Sequence, residues 1–162
     1  MTSPNPCLPL REGVGVVLLN DAGLVFVGER LDRPGVWQMP QGGIDEGEEP
    51  FGAALRELAE ETGVHSVTML RATPEPLTYD LPPELVSRTW NGRYRGQRQV
   101  WFAMRFEGTD DTIDIHGTDH PEFRAWRWMH AGTIEAGIVA FKRQLYRDIF
   151  AAFADLLDRN DA

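Results

Sequence analysis

Apolar residues near the N-terminus follow a pattern typical of paired strands. Residues 13–19 are almost wholly apolar and predict a central strand, and a second apolar run covers residues 24–29. The turn-forming residues 20–23, Asn-Asp-Ala-Gly, separate the two runs and predict a β-hairpin. Further apolar or alternating runs predict strands at residues 66–70, 99–106 and 123–129.

Two segments show the helical period instead. Pro50 suits the first position of a helix and Gly63 suits its end, so a helix is predicted over residues 50–62. Its apolar face is predicted to comprise Phe51, Leu55, Leu58 and Thr62. A second stripe predicts a closing amphipathic helix over residues 140–157, formed by Ile149, Phe150, Phe153, Leu156 and Leu157.

Together these elements predict an α/β fold, with a mixed β-sheet between helices in an α/β/α sandwich and a C-terminal amphipathic helix. With 162 residues, 42% of them hydrophobic, the chain is long enough for one well-buried domain. We expect a disordered terminus over residues 1–9, a single domain over 10–158 and a tail over 159–162. No signal peptide or long apolar span is visible, which predicts a cytoplasmic protein without membrane contact.

Three glutamates on the first helix are the strongest chemical signal. Glu57, Glu60 and Glu61 are spaced i, i+3 and i+4, so they share one helical face, where like charges repel. A divalent cation would remove this repulsion, and Mg²⁺ prefers oxygen ligands. The pattern predicts a metal site on a face pointing away from the core. The alternative is an ordinary amphipathic helix with a solvated acidic face.

The charge of the chain is uneven. A formal net charge of −9 argues against sequence-blind binding to nucleic acid backbones. Residues 88–98 nevertheless contain no acid and carry four arginines interleaved with two aromatic residues, namely Arg88, Trp90, Arg93, Tyr94, Arg95 and Arg98. Guanidinium groups match phosphate oxygens and aromatic rings stack on bases, so this loop is a candidate nucleotide clamp. The alternative is a solvated loop whose rings pack back onto the core.

The full spacing around the glutamates resembles the Nudix box. It reads Gly42-x5-Glu48-x7-Arg56-Glu57-Leu58-x-Glu60-Glu61-x-Gly63-Val64. The resemblance implies hydrolysis of a nucleoside diphosphate linked to another group, with two or more Mg²⁺ ions, or Mn²⁺. It also implies Glu57, Glu60 and Glu61 as metal ligands, Arg56 as the residue that orients them, and a backbone carbonyl near Gly42 as a further ligand.

Segments outside the box resemble the RNA pyrophosphohydrolase and dinucleoside polyphosphate hydrolase branch of that family. They cover residues 37–44, 79–82, 96–102, 121–128 and 141–147. This resemblance implies removal of pyrophosphate from 5′-triphosphorylated RNA, or of phosphate from diphosphorylated RNA, and cleavage of compounds such as diadenosine tetraphosphate. No stable protein partner is predicted.

The branch resemblance also implies roles for residues far from the box. Glu122 matches a distal glutamate that binds a metal or acts as the general base, a role for which Glu57 is the other candidate; by itself Glu122 is a surface acid. With the clamp residues Arg93, Arg95 and Arg98, the predicted substrate contacts are Arg11, Arg30, Gln38, Tyr79, Gln97, Phe141 and Lys142. Without the resemblance, Phe141 is equally a core residue, Tyr79 a strand aromatic and Lys142 a solvated helix residue.

Three functions follow from the sequence. The first is hydrolysis of RNA 5′ ends and dinucleoside polyphosphates, with Arg56, Glu57, Glu61 and Glu122 as the catalytic set. The second is a small-molecule hydrolase for dinucleoside polyphosphates with little RNA role. The third is a non-catalytic binding or regulatory module, against which the complete set of box glutamates argues.

Overall fold

The computed structural model of the protein describes residues 8–157. Its strands are β1 (Leu10–Leu19), β2 (Val25–Arg30), β3 (Trp37–Gln38), β4 (Gln41–Gly43), β5 (Val67–Ala72), β6 (Leu77–Asp80), β7 (Gly96–Phe106) and β8 (Phe123–Met129). Its helices are α1 (Pro50–Thr62), α2 (Pro83–Val86), α3 (Ala131–Gly137) and α4 (Arg143–Ala152). The predicted hairpin and the predicted strands at 66–70, 99–106 and 123–129 are all present, each within a few residues of its expected bounds.

The strands form one mixed sheet around a long parallel pair. β1 runs parallel to β7 along its whole length, from Leu10 opposite Gly96 to Leu19 opposite Arg105. β1 also pairs antiparallel with β2 and β4, while β5 and β6 pair antiparallel with β7, and β8 pairs with β2. The α/β class with a mixed sheet is therefore confirmed.

Successive side chains of β1 point to opposite faces of the sheet and pack into two separate hydrophobic cores. Val16 and Leu18 lie in a buried cluster with Leu58 of α1. Val17 and Leu19 point to the other face, where the cluster includes Ile149 of α4 together with Trp101, Tyr146 and Phe153. The sheet thus has a helical layer on each face, which is the predicted α/β/α sandwich.

The buried face of α1 differs from the prediction. Its buried residues are Ala53, Ala54, Leu58, Glu61 and Thr62, whereas Phe51 is 40% exposed and touches the edge of the core at Phe102. Two alanines let the helix lie close to the sheet, so the contact face is centred on small residues. As a consequence Glu61, expected to point away from the core, lies inside it.

The C-terminal helix is shorter than the predicted 140–157. A 3₁₀ turn at Ala140–Lys142 precedes α4, and a second turn at Ala154–Leu156 follows it. The break comes at Phe153, whose backbone leaves the helical region at φ −116 and ψ 19. The end of this segment is joined to β5 by an ion pair between Arg71 and Asp155 at 2.7 Å.

The predicted terminal segments lie largely outside the described residues. Residues 1–7, with Cys7, and residues 158–162 lie outside the described residues. Of the predicted disordered start, Leu8 and Pro9 are described, and their carbonyls accept hydrogen bonds from Arg95 Nε at 3.2 Å and Arg95 N at 3.0 Å. Among residues 8–157, no helix combines the length and apolarity needed to cross a bilayer.

Close packing across the β1–β7 pair requires glycine at position 15. A Cβ at Gly15 would lie 2.4 Å from the indole of Trp101, far inside van der Waals contact. Trp101 is fully buried and its ring is 6.1 Å from that of Tyr146 in α4. The missing side chain therefore makes the space into which the largest core residue packs.

We predict that Gly15→Ala lowers the free energy of unfolding by about 1–3 kcal/mol, the usual range for an overpacked core. Urea unfolding followed by tryptophan fluorescence measures the change. Gly52→Ala on α1 is the matched control, because a Cβ there meets no atom within 4 Å. The control should raise stability by a few tenths to about 1 kcal/mol, since alanine favours the helix. Equal stabilities of the two variants would contradict the packing described.

Candidate active site

The strand β4 and the helix α1 bring the box residues together. β4 lies antiparallel on β1, with Gly43 opposite Gly13 and Gly42 opposite Val14. The helix starts at Pro50 and ends at Gly63, whose left-handed φ of 72 suits glycine. A Cβ at Gly42 would lie 2.0 Å from the carboxylate of Glu57. Glycine at position 42 is thus what allows the Glu57 carboxylate to lie directly against the β4 backbone.

Arg56 is the centre of a hydrogen-bond network in this region. Its guanidinium donates to Glu48 at 2.7 Å, to Glu57 at 2.7 Å and to the carbonyl oxygen of Gly43 at 2.9 Å. Glu60 is further away, at 3.4 Å. The hydrogen bond from Arg56 lowers the pKa of Glu48 to about 2. Arg56 therefore connects the loop that contains Glu48, the helix α1 and the strand β4.

Two glutamates at this site are held in an unfavourable electrostatic environment. Burial raises the pKa of Glu57 even though Arg56 opposes the shift. Burial also raises the pKa of Glu61 well above its usual value, and the negative charges of Glu57 and Glu122 add to the effect. Glu61 is only 7% exposed, and its Oε2 atom has no hydrogen-bond partner. A buried carboxyl with an unpaired oxygen is unfavourable as an anion, and either protonation or a nearby cation relieves that cost.

These carboxylates line an acidic cleft of about 320 Å³. Its walls are formed by Glu57, Glu60, Glu61, Thr118, Asp119, His120 and Glu122. Glu122 reaches the cleft because its carbonyl accepts a hydrogen bond from the N–H of Leu31 at 3.0 Å, just beyond β2. The structure thus brings all four predicted acids together. Residues 118–120 were not among the predicted site residues, because they belong to no motif.

A second cleft, which we call the basic pocket, has a volume of about 410 Å³. It is lined by Arg30, Asp32, Arg33, Tyr79, Leu81, Leu85, Arg88, Thr89, Trp90, Phe141 and Lys142. Four predicted substrate contacts therefore share one cavity. The rings of Tyr79 and Phe141 are 5.9 Å apart, and the Lys142 amine is 5.4 Å from the Tyr79 ring. Sequence reasoning did not single out Arg33 or Leu85, which carry no motif.

Lys142 is the only lysine of the chain and is 4% exposed. It is therefore not a solvated helix residue. Burial, followed by the nearby charge of Arg30, lowers the pKa of its amine to about 8. A buried cation among arginines is unfavourable unless an anion enters the pocket.

Arg11 lies between the two clefts. Its guanidinium is 5.2 Å from the ring of Trp90 in the basic pocket. A Cβ at Gly43 would lie 2.3 Å from its Nη2 atom, so the side chain packs on β4. Burial raises the pKa of both Glu57 and Tyr79, and the charge of Arg11 partly offsets each rise.

The predicted arginine clamp is largely neutralised by acids from elsewhere in the chain. Arg95 pairs with Asp80 of β6 at 2.5 Å, and Arg98, which lies on β7 rather than in a loop, pairs with Glu12 of β1 at 2.6 Å. Arg93 lies over the ring of Tyr94 at 5.6 Å. Two of the four positive charges of residues 88–98 are thus paired with acids distant in sequence, and the clamp itself stays a prediction.

Two other predicted contacts are buried rather than open to a cleft. Gln38 on β3 is 8% exposed, and Gln97 on β7 is fully buried. Neither lines the acidic cleft or the basic pocket. Gln97 instead donates to the hydroxyl of Tyr79 at 2.8 Å, so any influence on a ligand passes through that tyrosine.

Comparison with known proteins shows the family of the chain. The NUDIX domain family matches residues 9–149. The chain belongs to the Nudix family. An RNA pyrophosphohydrolase of Cereibacter sphaeroides is 56% identical over 149 residues, covering 90% of this chain and 91% of the relative. An RNA pyrophosphohydrolase of Sphingopyxis alaskensis is 56% identical over 153 residues, covering 93% and 96%.

Solved Nudix-type structures share the fold at low sequence identity. The E. coli dihydroneopterin triphosphate pyrophosphohydrolase superposes with a TM-score of 0.67 at 23% identity, covering 86% of this chain and 96% of that one. A C. elegans Ap4A hydrolase binary complex gives a TM-score of 0.65 at 20% identity, covering 90% and 99%. At these identities the likeness concerns the fold alone.

Nudix hydrolases generally use divalent metals, and the donor set of the acidic cleft fits such an ion. The fit is seen in the unpartnered Oε2 of Glu61 and in the Glu57 carboxylate, which the absence of a side chain at Gly42 lets lie against the β4 backbone. Within residues 8–157, no three acid, imidazole or thiol groups are already positioned to hold a metal. This is consistent with the mutual repulsion of the carboxylates and with the hold of Arg56 on Glu57.

We predict that Mn²⁺ raises the thermal stability of the parent protein. The increase should be much smaller in the Glu61→Gln variant. At 100 times its dissociation constant a ligand stabilises by about 2.7 kcal/mol. The variant should be more stable than the parent without metal, because it lacks the buried unpaired charge. Differential scanning calorimetry with and without Mn²⁺ measures both effects. Glu46→Gln, at an exposed position of the same loop, should behave like the parent, and an equal Mn²⁺ gain in Glu61→Gln would contradict the assignment.

A second prediction concerns Lys142 and pH. The folded chain releases this proton near pH 8, whereas the unfolded chain holds it to about the ordinary value of 10.5. The unfolded state therefore binds more protons between these values, and stability rises with pH across this window. Lys142→Met should remove the rise and stabilise the protein below pH 8 by on the order of 2–3 kcal/mol.

The absence of other lysines allows a direct test of this pKa. NMR titration of the single lysine amine after reductive ¹³C-methylation should give a midpoint near the value of 8, and urea unfolding at several pH values tests the linked stability. A midpoint at the ordinary value would contradict the burial argument.

Proposed function

We propose that this protein removes pyrophosphate from 5′-triphosphorylated RNA, or phosphate from diphosphorylated RNA, and also hydrolyses dinucleoside polyphosphates. The observation that carries the proposal is the adjacency of the two clefts. The acidic cleft supplies anionic oxygen donors, the basic pocket supplies cations and aromatic rings, and Arg11 lies between them. The curated relatives named RNA pyrophosphohydrolases, at 56% identity, support this substrate class.

In this proposal the metal ligands are Glu57, Glu60, Glu61, Glu122 and the backbone carbonyl near Gly42, holding two or more Mg²⁺ ions or Mn²⁺. When bound, such ions lower the pKa of a water nucleophile and neutralise charge on the phosphates. Arg56 orients Glu57 through the hydrogen bond at 2.7 Å and anchors it to β4.

The proton acceptor is best assigned to Glu122. Glu57 is held by Arg56, and Glu61 is buried among other carboxylates. Glu122 is exposed on the wall of the same cleft, where it can pass a proton to solvent. This choice separates the base from the residues that the arginine network fixes in place.

The basic pocket would bind the nucleotide end. The ring of Phe141 is half-buried beside Tyr79 and offers a surface on which a base can stack. Lys142 and Arg30 face the same space and would pair with phosphate oxygens. Arg11 would hold the polyphosphate chain between the pocket and the acidic cleft.

One observation favours free dinucleoside polyphosphates as the main substrate instead. Arg95 and Arg98 are paired with acids, so they do not form an open basic track for an RNA chain beyond the first nucleotides. A compact pocket of this kind suits a small nucleotide as well as an RNA end.

The deciding experiment measures hydrolysis of 5′-triphosphorylated RNA and of diadenosine tetraphosphate side by side with Mg²⁺. We expect both to be cleaved, with kcat lowered by roughly 100-fold or more in Glu57→Gln and Glu61→Gln, because each variant removes an anionic metal ligand. Glu46→Gln is the matched control and should retain parental rates. Undetectable RNA cleavage with intact dinucleotide cleavage would establish the small-molecule function, and full activity of both Gln variants would refute the metal site.

A further inference from the structure

A chain of buried polar side chains joins the basic pocket to β4. The indole Nε1 of Trp101 donates to Gln99 Oε1 at 2.9 Å, and Gln99 Nε2 donates to Gln41 Oε1 at 3.2 Å. Burial raises the pKa of the Tyr79 phenol, and the nearby side chains of Gln97 and Gln41 partly offset that rise. The hydrogen-bond chain therefore runs from Trp101 through Gln99 to Gln41, whose side chain lies near Tyr79 of the pocket.

The direction of this chain is fixed by its first member. An indole N–H can donate but cannot accept, so Gln99 must turn its carbonyl oxygen towards Trp101. Its amide group must then donate to the oxygen of Gln41, so the orientation of the Gln41 amide is set as well. Neither glutamine can flip without leaving a buried group unpaired, at a cost of about 1–3 kcal/mol per group.

Because these side chains are buried, the loss of one hydrogen bond would leave a polar group without a partner. Gln99 and Trp101 are fully buried and Tyr79 is 8% exposed, so water does not replace a lost partner in the core. Trp101 and the chain have room because Gly15 carries no side chain. The arrangement fixes the Gln41 side chain far more firmly than packing alone would do for a half-buried residue in a three-residue strand.

Gln41 also contacts the acidic cleft through its main chain. Gln41 directly precedes Gly42, against whose backbone the Glu57 carboxylate lies. Burial raises the pKa of Glu61, and the backbone of Gln41 partly offsets that rise, so this backbone lies near the Glu61 carboxylate as well. One residue thus contacts the buried Gln99 with its side chain and adjoins the carboxylates of the acidic cleft with its backbone.

We propose that Gln99 is a positioning residue for the reaction: by holding the Gln41 side chain, it fixes the β4 backbone that orients Glu61 and Glu57. Gln99 lines neither cleft and touches no substrate in this account. Its effect passes through Gln41 to the carboxylates. The inference rests on the proposed function for its activity measurement but not for its metal-binding measurement.

The test compares Gln99→Leu with the parent in two measurements. The first is the affinity for Mn²⁺, determined from the EPR signal of the free ion, and the second is the steady-state hydrolysis of diadenosine tetraphosphate. Loss of an outer support typically weakens metal affinity or activity by about 10–100-fold. We expect the Mn²⁺ dissociation constant to rise and kcat to fall within that range, while KM changes less than about twofold, since the pocket side chains remain.

Trp101→Phe is the matched control. It removes the hydrogen bond to Gln99 Oε1 and some core packing but keeps both glutamine side chains, and the hydrogen bond between them is the one that the proposal requires. It should lose stability yet keep Mn²⁺ affinity and kcat within about twofold of the parent. A loss in Trp101→Phe equal to that in Gln99→Leu would show a general stability effect and overturn the proposal.

A second variant covers the case in which Gln99→Leu folds poorly. Gln41→Leu combined with Gln99→Leu replaces both partners by apolar groups, which restores much of the stability because no unpaired amide remains between them. If positioning matters, this folded double variant still binds Mn²⁺ weakly. Parental affinity and kcat in the double variant would overturn the inference while leaving the proposed function intact, whereas an inactive parent that binds Mn²⁺ would overturn the function alone.

Discussion

The parallel pairing of β1 with β7 is the constraint on which the rest of the structure depends. Parallel strands need a long crossover, and here the crossover contains β2 to β6 and the box helix. The pair is central in the sheet, so each of its faces is covered by a helical layer. Its register also sets Gly15 opposite Trp101, which creates the space for the buried side chains beneath the basic pocket.

The site itself is electrostatically frustrated in two places. The acidic cleft holds a buried carboxyl group with one unpaired oxygen, and the basic pocket holds a buried amine beside arginines. Each is unfavourable alone, yet the charges are opposite and the clefts are neighbours. A polyphosphate accompanied by cations would neutralise both at once. These two buried groups lower the stability of the free protein, and a ligand of that charge pattern would bind more tightly because it removes both costs.

Much of the fold and part of the site could be predicted from sequence because the signals are local. Helical spacing placed Glu57, Glu60 and Glu61 near one another, and alternation revealed the long strands. The short strand β4 has too few residues for a periodic pattern. The partners of Arg95 and Arg98 are acids on other strands, and the burial of Glu61 follows from the close approach of α1 through Ala53 and Ala54. Such features are set by tertiary contacts, which periodicity does not encode.

The ion pair between Arg71 and Asp155 has a consequence for association between molecules. β5 is the last strand on its side of the sheet, so its outer edge has backbone groups available for another strand. A charged pair at this strand and a register shift between Met69 and Arg71 both interrupt a flat, regular edge. The ion pair that joins the turn at Ala154–Leu156 to β5 therefore also makes this edge less suited to pairing with a strand of another molecule.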